Sequence, residues 1–437
     1  MEENASQWHL SKYNLFAKIP NKDLIGCVNL LKATYSLLTF EEVQQLYALQ
    51  PNEKFVKLGF LVGYDEVEAF KTIEKSKCNL VNSIGLTICP TLNCNFDCPY
   101  CFEKHRKGKM SKETQDEVVK FANKMINYYK SNQLSITWFG GEPLLEPGII
   151  KSLSEKLIDL ANKKQIKYSA SIVTNGYLLT QEIVDMLAEN RVFQYQITLD
   201  GFEEVHDKTR HLVGGQPTFY KIIENLNTLK IKGRINIRYN TYAENLEQFI
   251  FIKKFVLNLA RESGNNITTY PALISKNDNI YERDKNFELL NNFTFANTLN
   301  KDNFYNIQPF KTSYCGAQNF TFITIDEIGR LYKCWEDVDK NEHSFSSLAM
   351  WNPANPLGTS DNIEPLVKYI NSINIFDDEE CKECVWMPFC NGGCPNKRLY
   401  GERICTPYKE HPEEFVLNYI DYRNSKRKRN NNTNNTC

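Results

Sequence analysis

The sequence predicts an α/β protein built on a partial, six-unit (β/α) barrel, with a small α+β domain before it and a cysteine-rich domain after it. Three observations carry this. Strand-like and helix-like patterns alternate from about residue 83 to 300; that rhythm is absent on either side; and cysteines crowd the region after it. Strand-like runs fall at 84–89, 134–139, 168–173, 193–199, 235–240 and 267–273. In the fourth, Phe193, Tyr195, Ile197 and Leu199 keep the period of two of a pleated strand. Between the first two runs, Val118, Phe121, Met125, Ile126 and Tyr129 share one helical face. Further helices are expected over 148–163, 180–190, 217–231 and 244–261. Strands separated by helices pair in parallel through right-handed crossovers. Six such units fall short of the closed eight-fold barrel, which takes roughly 250 residues.

Residues 1–80 read as a separate small unit. KYNLFAKI suggests a strand, FEEVQQLYAL a helix, GFLVGYDEVEAFKTI a turn and second helix, and Ser76–Asn82 a linker. Phe320–Ile325, Asp326–Gly329 and Arg330–Trp335 read as a β-hairpin. The expected divisions are therefore 1–80, 81–305 for the barrel, 306–415 for the cysteine-rich domain, and a disordered 416–437 tail. That tail, SKRKRNNNTNNTC at its end, is basic and then Asn-rich.

The chain has 437 residues, so two or three domains are expected. A net charge of −1 gives no electrostatic footprint for nucleic acid. No apolar run approaches the roughly 20 residues of a membrane span. The start, MEENASQWHL, is polar and acidic, unlike a signal peptide, so the cytoplasm is the expected location. In that reducing compartment the 14 cysteines point to metal rather than disulfides.

Two cysteine groups stand out. Cys94, Cys98 and Cys101 form C-x3-C-x2-C directly after the first barrel strand. Three thiolates on one loop suit an iron–sulfur cluster and leave one iron of a four-iron cube open. Zinc competes, with Cys89 or His105 as its fourth ligand. The second group is Cys315, Cys334, Cys381, Cys384, Cys390, Cys394 and Cys405. A zinc ribbon would use four of these and leave three unexplained. Cys27, Cys78, Cys89 and Cys437 have no assigned role.

The first group resembles the signature of the radical S-adenosylmethionine (SAM) superfamily, with the aromatic Tyr100 before its last cysteine. Further segments strengthen that resemblance at successive strand ends: Gly140-Gly141-Glu142-Pro143, Val173-Thr174-Asn175-Gly176 and Thr198-Leu199-Asp200-Gly201, followed by His206, Asp207 and Arg210. The resemblance implies a SAM molecule bound to the open iron and cleaved to a 5′-deoxyadenosyl radical that abstracts a substrate hydrogen. It implies SAM contacts from Tyr100, Gly140, Gly141, Glu142, Asn175, Thr198 and Arg210, with Glu142 on the SAM ammonium. Asp200 is a candidate base. Gly-Gly and Asn-Gly are also ordinary turn sequences.

The second group resembles the SPASM extension, which implies two auxiliary 4Fe–4S clusters and three clusters in all. Cys315, Cys334 and Cys394 would hold the first, and Cys381, Cys384, Cys390 and Cys405 the second. Such enzymes act largely on peptides, so the implied partners are a precursor peptide with a leader and a donor such as flavodoxin or ferredoxin. Residues 1–80 would form a winged-helix-like leader-recognition domain, or else a cap packed on the barrel. The expected reaction is a thioether cross-link between a cysteine sulfur and an acceptor carbon. The alternatives are an anaerobic sulfatase-maturing, formylglycine-generating enzyme, a carbon–carbon cross-linking maturase, and a non-catalytic scaffold.

Overall fold

A computed structural model describes residues 8–79, 82–241, 245–274, 315–372, 374–399, 401 and 405–433. The chain divides into two compact units, one made of 1–80, 291–315 and 372–437, the other of 81–290 and 316–371.

The first unit opens with β1 (His9–Leu10), β2 (Asn14–Lys18), β3 (Ile25–Asn29), β4 (Thr34–Leu38), α1 (Phe40–Tyr47), α2 (Glu53–Leu58), β5 (Leu61–Val62) and α3 (Glu66–Asn79). Strands β2, β3 and β4 form an antiparallel sheet, and β1 pairs with β5. The sequence suggested one strand here, corresponding to β2. Helix α1 starts as expected, because Thr39 and Glu42 exchange the reciprocal bonds of a capping box. The expected linker at Ser76–Asn82 is helical through Asn79, a correction.

The second unit carries the barrel strands β6 (Ser83–Ile88), β7 (Gln133–Trp138), β8 (Lys167–Thr174), β9 (Val192–Leu199), β10 (Arg234–Thr241) and β11 (Asn266–Leu273). All six are parallel and neighbours in sequence order. The crossovers are α4 (Lys112–Tyr129), α5 (Pro147–Lys163), α6 (Gln181–Glu189), then α7 (Glu203–Thr209) with α8 (Phe219–Thr228), and α9 (Phe249–Ser263). Helix α4 buries Val118, Phe121, Ala122, Met125 and Ile126, and Ser111 caps its start. Each large side chain so buried contributes about 1.5–3 kcal/mol before entropy is counted. The hairpin β12 (Phe322–Ile325) and β13 (Arg330–Tyr332) extends this sheet, with β12 parallel to β6, and β14 (Ser346–Ser347) ends it. Helix α10 (Glu364–Asn371) closes the unit. The hairpin's edge pairing with β6 places it in the barrel's unit.

The chain then returns to the first unit as α11 (Glu379–Glu383), α12 (Met387–Cys390), α13 (Pro395–Leu399) and α14 (Pro412–Thr433). The expected single span 306–415 is therefore divided between the units. The tail expected to be disordered is helical through Thr433, a second correction. Its cause is apolar spacing: Phe415, Val416, Tyr419 and Ile420 lie in one core with Tyr13, Val28, Leu30 and Phe70. Gly26 on β3 admits that helix, since a Cβ there would lie 2.6 Å from Ile420 Cδ1.

Candidate active site

The loop leaving β6 carries Cys94, Cys98 and Cys101, and backbone bonds hold it from both sides. Glu142 N donates to Asn93 O (2.9 Å), Asp97 N to His211 O (3.1 Å), and Val213 N to Asn95 O (2.9 Å). Gly140 and Gly141 permit the first contact: a Cβ on either would lie 2.3 Å from a backbone oxygen, of Thr91 or Asn93. These glycines therefore serve close approach to the cysteine loop itself.

Glu142 is fully enclosed, and both its carboxylate oxygens are engaged. Oε1 accepts from Leu144 N (3.0 Å) and Thr174 Oγ1 (2.7 Å), and Oε2 from Asn175 N (2.7 Å). It ties the ends of β7 and β8 to the cysteine loop. Asn175 adds a bond from Nδ2 to Asn95 Oδ1 (2.8 Å).

Around the barrel, Asp200 is also fully enclosed. Its Oδ2 accepts from Tyr100 Oη (2.6 Å) and Thr209 Oγ1 (2.7 Å), and its Oδ1 from Asn240 Nδ2 (3.1 Å). Tyr100 Oη accepts from Arg210 Nη1 and Asn240 Nδ2, both 3.1 Å away. Asp200 thus orients Tyr100 within a saturated network, and it is not presented as a free base. Thr198 lies on β9, paired in register with Arg238. His206 Nδ1 accepts from Asp200 N (3.3 Å), so its Nε2 carries the proton toward Thr218 Oγ1, which in turn donates to Arg210 O. Asp207 accepts from Thr218 N and Phe219 N at the start of α8. The segment from His206 to Arg210 therefore orders its own turn and delivers Arg210, whose guanidinium lies 5.5 Å over the Phe96 ring.

Sequence reading missed Asn95, Thr209, Asn240 and Asn245, whose Nδ2 donates to Asp200 O (2.8 Å). The signal present was position: Asn240 lies near the end of β10 and Asn245 follows it, and Thr209 adjoins Arg210.

Burial pushes the Cys94 thiol up to about 12, with the Glu142 charge adding to it. Burial likewise raises Cys101 to about 11 and raises Cys98, where Arg210 opposes the shift. Iron binding at these thiols must therefore release protons. His105 Nε2 lies 3.2 Å from Cys101 Sγ, whereas Cys89 is enclosed by Leu92, Phe139, Tyr332 and Val338. Among the described residues, no three His, Cys, Asp or Glu side chains converge as a cage for a single metal ion. Two buried N–H donors, Asn95 Nδ2 within the loop and Arg210 Nε beside it, have no acceptor among the described residues. An anionic group fits them, and three thiols on one short loop are a donor set suited to an open iron–sulfur cluster.

Of the second cysteine group, Cys334 belongs to the barrel's unit and begins the turn Trp335–Asp337. Cys315, Cys381, Cys384, Cys390, Cys394 and Cys405 belong to the other unit. Cys381 and Cys384 pack against its main core. Among the described residues no helix is long and apolar enough to cross a membrane.

The family model of the radical SAM superfamily matches residues 88–256. A serine-type anaerobic sulfatase-maturating enzyme of Bacteroides thetaiotaomicron is 33% identical over 148 residues, covering 32% of this chain and 34% of that protein. The chain thus spans only about a third of that relative's length. A cysteine-type anaerobic sulfatase-maturating enzyme of Clostridium perfringens is 25% identical over 381 residues, covering 76% of this chain and 96% of that one. Among solved structures, native anSMEcpe with bound AdoMet and Cp18Cys peptide shares the fold at TM-score 0.58, with 23% identity over 78% of this chain and 99% of that chain. Residues 88–256, which hold the three loop cysteines and every strand-end segment from Glu142 to Arg210, are a domain of the radical SAM superfamily.

Proposed function

We propose that this chain is a radical SAM enzyme that modifies a peptide or protein substrate in the cytoplasm. The observation that carries the reading is the braced cysteine loop with two unsatisfied N–H donors beside it. Cys94, Cys98 and Cys101 would hold the cluster. A SAM molecule bound there would supply the radical chemistry that removes a substrate hydrogen. The chain's own residues position that chemistry. Gly140, Gly141, Glu142 and Asn175 fix the loop; Asn95 and Arg210 offer N–H groups to an anionic group; Asp200 fixes Tyr100. Seven further cysteines would hold two auxiliary clusters, and a flavodoxin or ferredoxin would supply electrons.

The finer reading is a thioether cross-link in a precursor peptide. It is supported by the antiparallel sheet of β2, β3 and β4, whose edges suit addition of an extended leader strand. A second reading, maturation of a sulfatase, is favoured by the match that covers 96% of the Clostridium enzyme. One experiment separates them: anaerobic incubation with SAM, dithionite and each candidate substrate, read by mass spectrometry. A thioether removes two hydrogens and one titratable thiol. Cysteine-type maturation replaces the thiol by an aldehyde that hydrazide captures. Absence of 5′-deoxyadenosine from iron-loaded protein with every substrate overturns both. Cys98→Ala is expected to abolish SAM cleavage while iron falls from about twelve to about eight per chain.

A further inference from the structure

Arg398 lies on α13, four residues after Cys394, and its guanidinium is divided between two partners. Nη2 pairs with Asp378 Oδ2 at 3.0 Å, and Nη1 donates to Cys381 Sγ at 3.4 Å. Both charged side chains are largely buried, at 18% and 16% exposure. Asp378 is itself fixed, because its Oδ1 accepts from Glu380 N (3.1 Å) and Cys381 N (3.0 Å). One carboxylate therefore orders both the turn bearing Cys381 and the cation aimed at that residue's sulfur. A neutral thiol is a weak acceptor, whereas a thiolate ligated to metal is a strong one. The Asp378–Arg398–Cys381 arrangement suits the second.

We propose that Arg398 sets the reduction potential of an iron–sulfur cluster held by Cys381, Cys384, Cys390 and Cys405. This rests on the reading of those cysteines as an auxiliary cluster site. Hydrogen bonds to ligating sulfur and nearby charge are principal determinants of cluster potential. On reduction the cluster gains one electron, here from dithionite, and becomes more negative. A cationic N–H donor on one of its sulfurs stabilises that state more than the oxidised one. Arg398 therefore raises the potential and makes the site a better electron acceptor. It is a positioning and tuning residue with no contact to substrate.

The test uses the full-length chain with Cys94→Ala, Cys98→Ala and Cys101→Ala, so that only auxiliary clusters remain. Iron is counted, and midpoint potentials are measured by redox titration followed by electron paramagnetic resonance. Adding Arg398→Gln is expected to leave iron content unchanged and lower one potential, with a shift on the order of tenfold in the reduction equilibrium, about 59 mV for one electron. The other auxiliary potential stays put. Arg398→Lys, which keeps the charge, shifts it less. If Arg398→Gln loses iron, Arg398→Met, which keeps the packed stem and removes the charge, decides the matter by the same downward shift. Retained iron with unmoved potentials overturns the proposal and leaves the cluster reading intact. A parent chain that takes up zinc and no iron overturns the cluster reading, and the proposal with it.

Discussion

Tyr100 sits between charges of opposite sign, donating to Asp200 and accepting from Arg210. Tyr100→Phe leaves Thr209 on Asp200 but strips Arg210 of this acceptor. A loss of about 1–3 kcal/mol in urea unfolding is expected, since a buried donor is left unsatisfied. His206 gives a pH prediction. Burial, and then the Arg210 charge, hold its folded-state value well below the ordinary 6.5. Protons therefore bind the unfolded chain preferentially as pH falls through that ordinary value. The stability is fully present above about 6.5 and is lost below it, at up to about 1.4 kcal/mol per pH unit. His206→Gln keeps an acceptor and a donor without titrating, so its stability should vary less between pH 7 and 5. Equal slopes in calorimetry would show that His206 does not carry the effect. At this scale little was legible in the sequence. An acidic residue after two glycines looks like a ligand for a cation, and only the proximity of Thr174 and Asn175, from another strand, reveals a clamp.

The barrel strands were legible to within a residue or two at each end, because alternation and apolar runs are local signals. Strands β3 and β4 were not. They are short, and the turn between them places Ala33 at φ 55°, with no Asn-Gly or Asp-Gly to announce a hairpin. The cysteine loop and the turn at Gly140-Gly141 form one mechanical element. Gly141→Ala drives a methyl group against the Asn93 carbonyl. The loop must shift, and loss of most loop-bound iron with retention of the auxiliary iron is the expected outcome in metal analysis. The contact of β3 with α14 is more forgiving, because Gly26 faces the tip of a flexible side chain. Gly26→Ala should cost on the order of 1 kcal/mol, and trimming Ile420 to Val should recover part of it, a coupling that a double-mutant cycle measures.

At the scale of the molecule, the strand–helix alternation and the crowding of cysteines after it indicated a barrel flanked by two further segments. They did not indicate that residues 8–79 and 372–433 belong to one unit, because pairing across 300 residues leaves no local mark. Phe415, Val416, Tyr419 and Ile420 fall at helical spacing, but the charged and Asn-rich residues after them dominated the reading of the tail. A chain ending at residue 411 should leave the core around Tyr13, Val28 and Phe70 open. Limited proteolysis is expected to cut such a chain within its first 80 residues while the barrel resists. The shared core also has a consequence during synthesis. As the nascent chain emerges, β2 and β3 appear long before α14, so their apolar faces remain uncovered while the whole barrel is being translated. Strands β2 and β3 thus wait for α14 before their core can close, and a holding chaperone has a long window of engagement there.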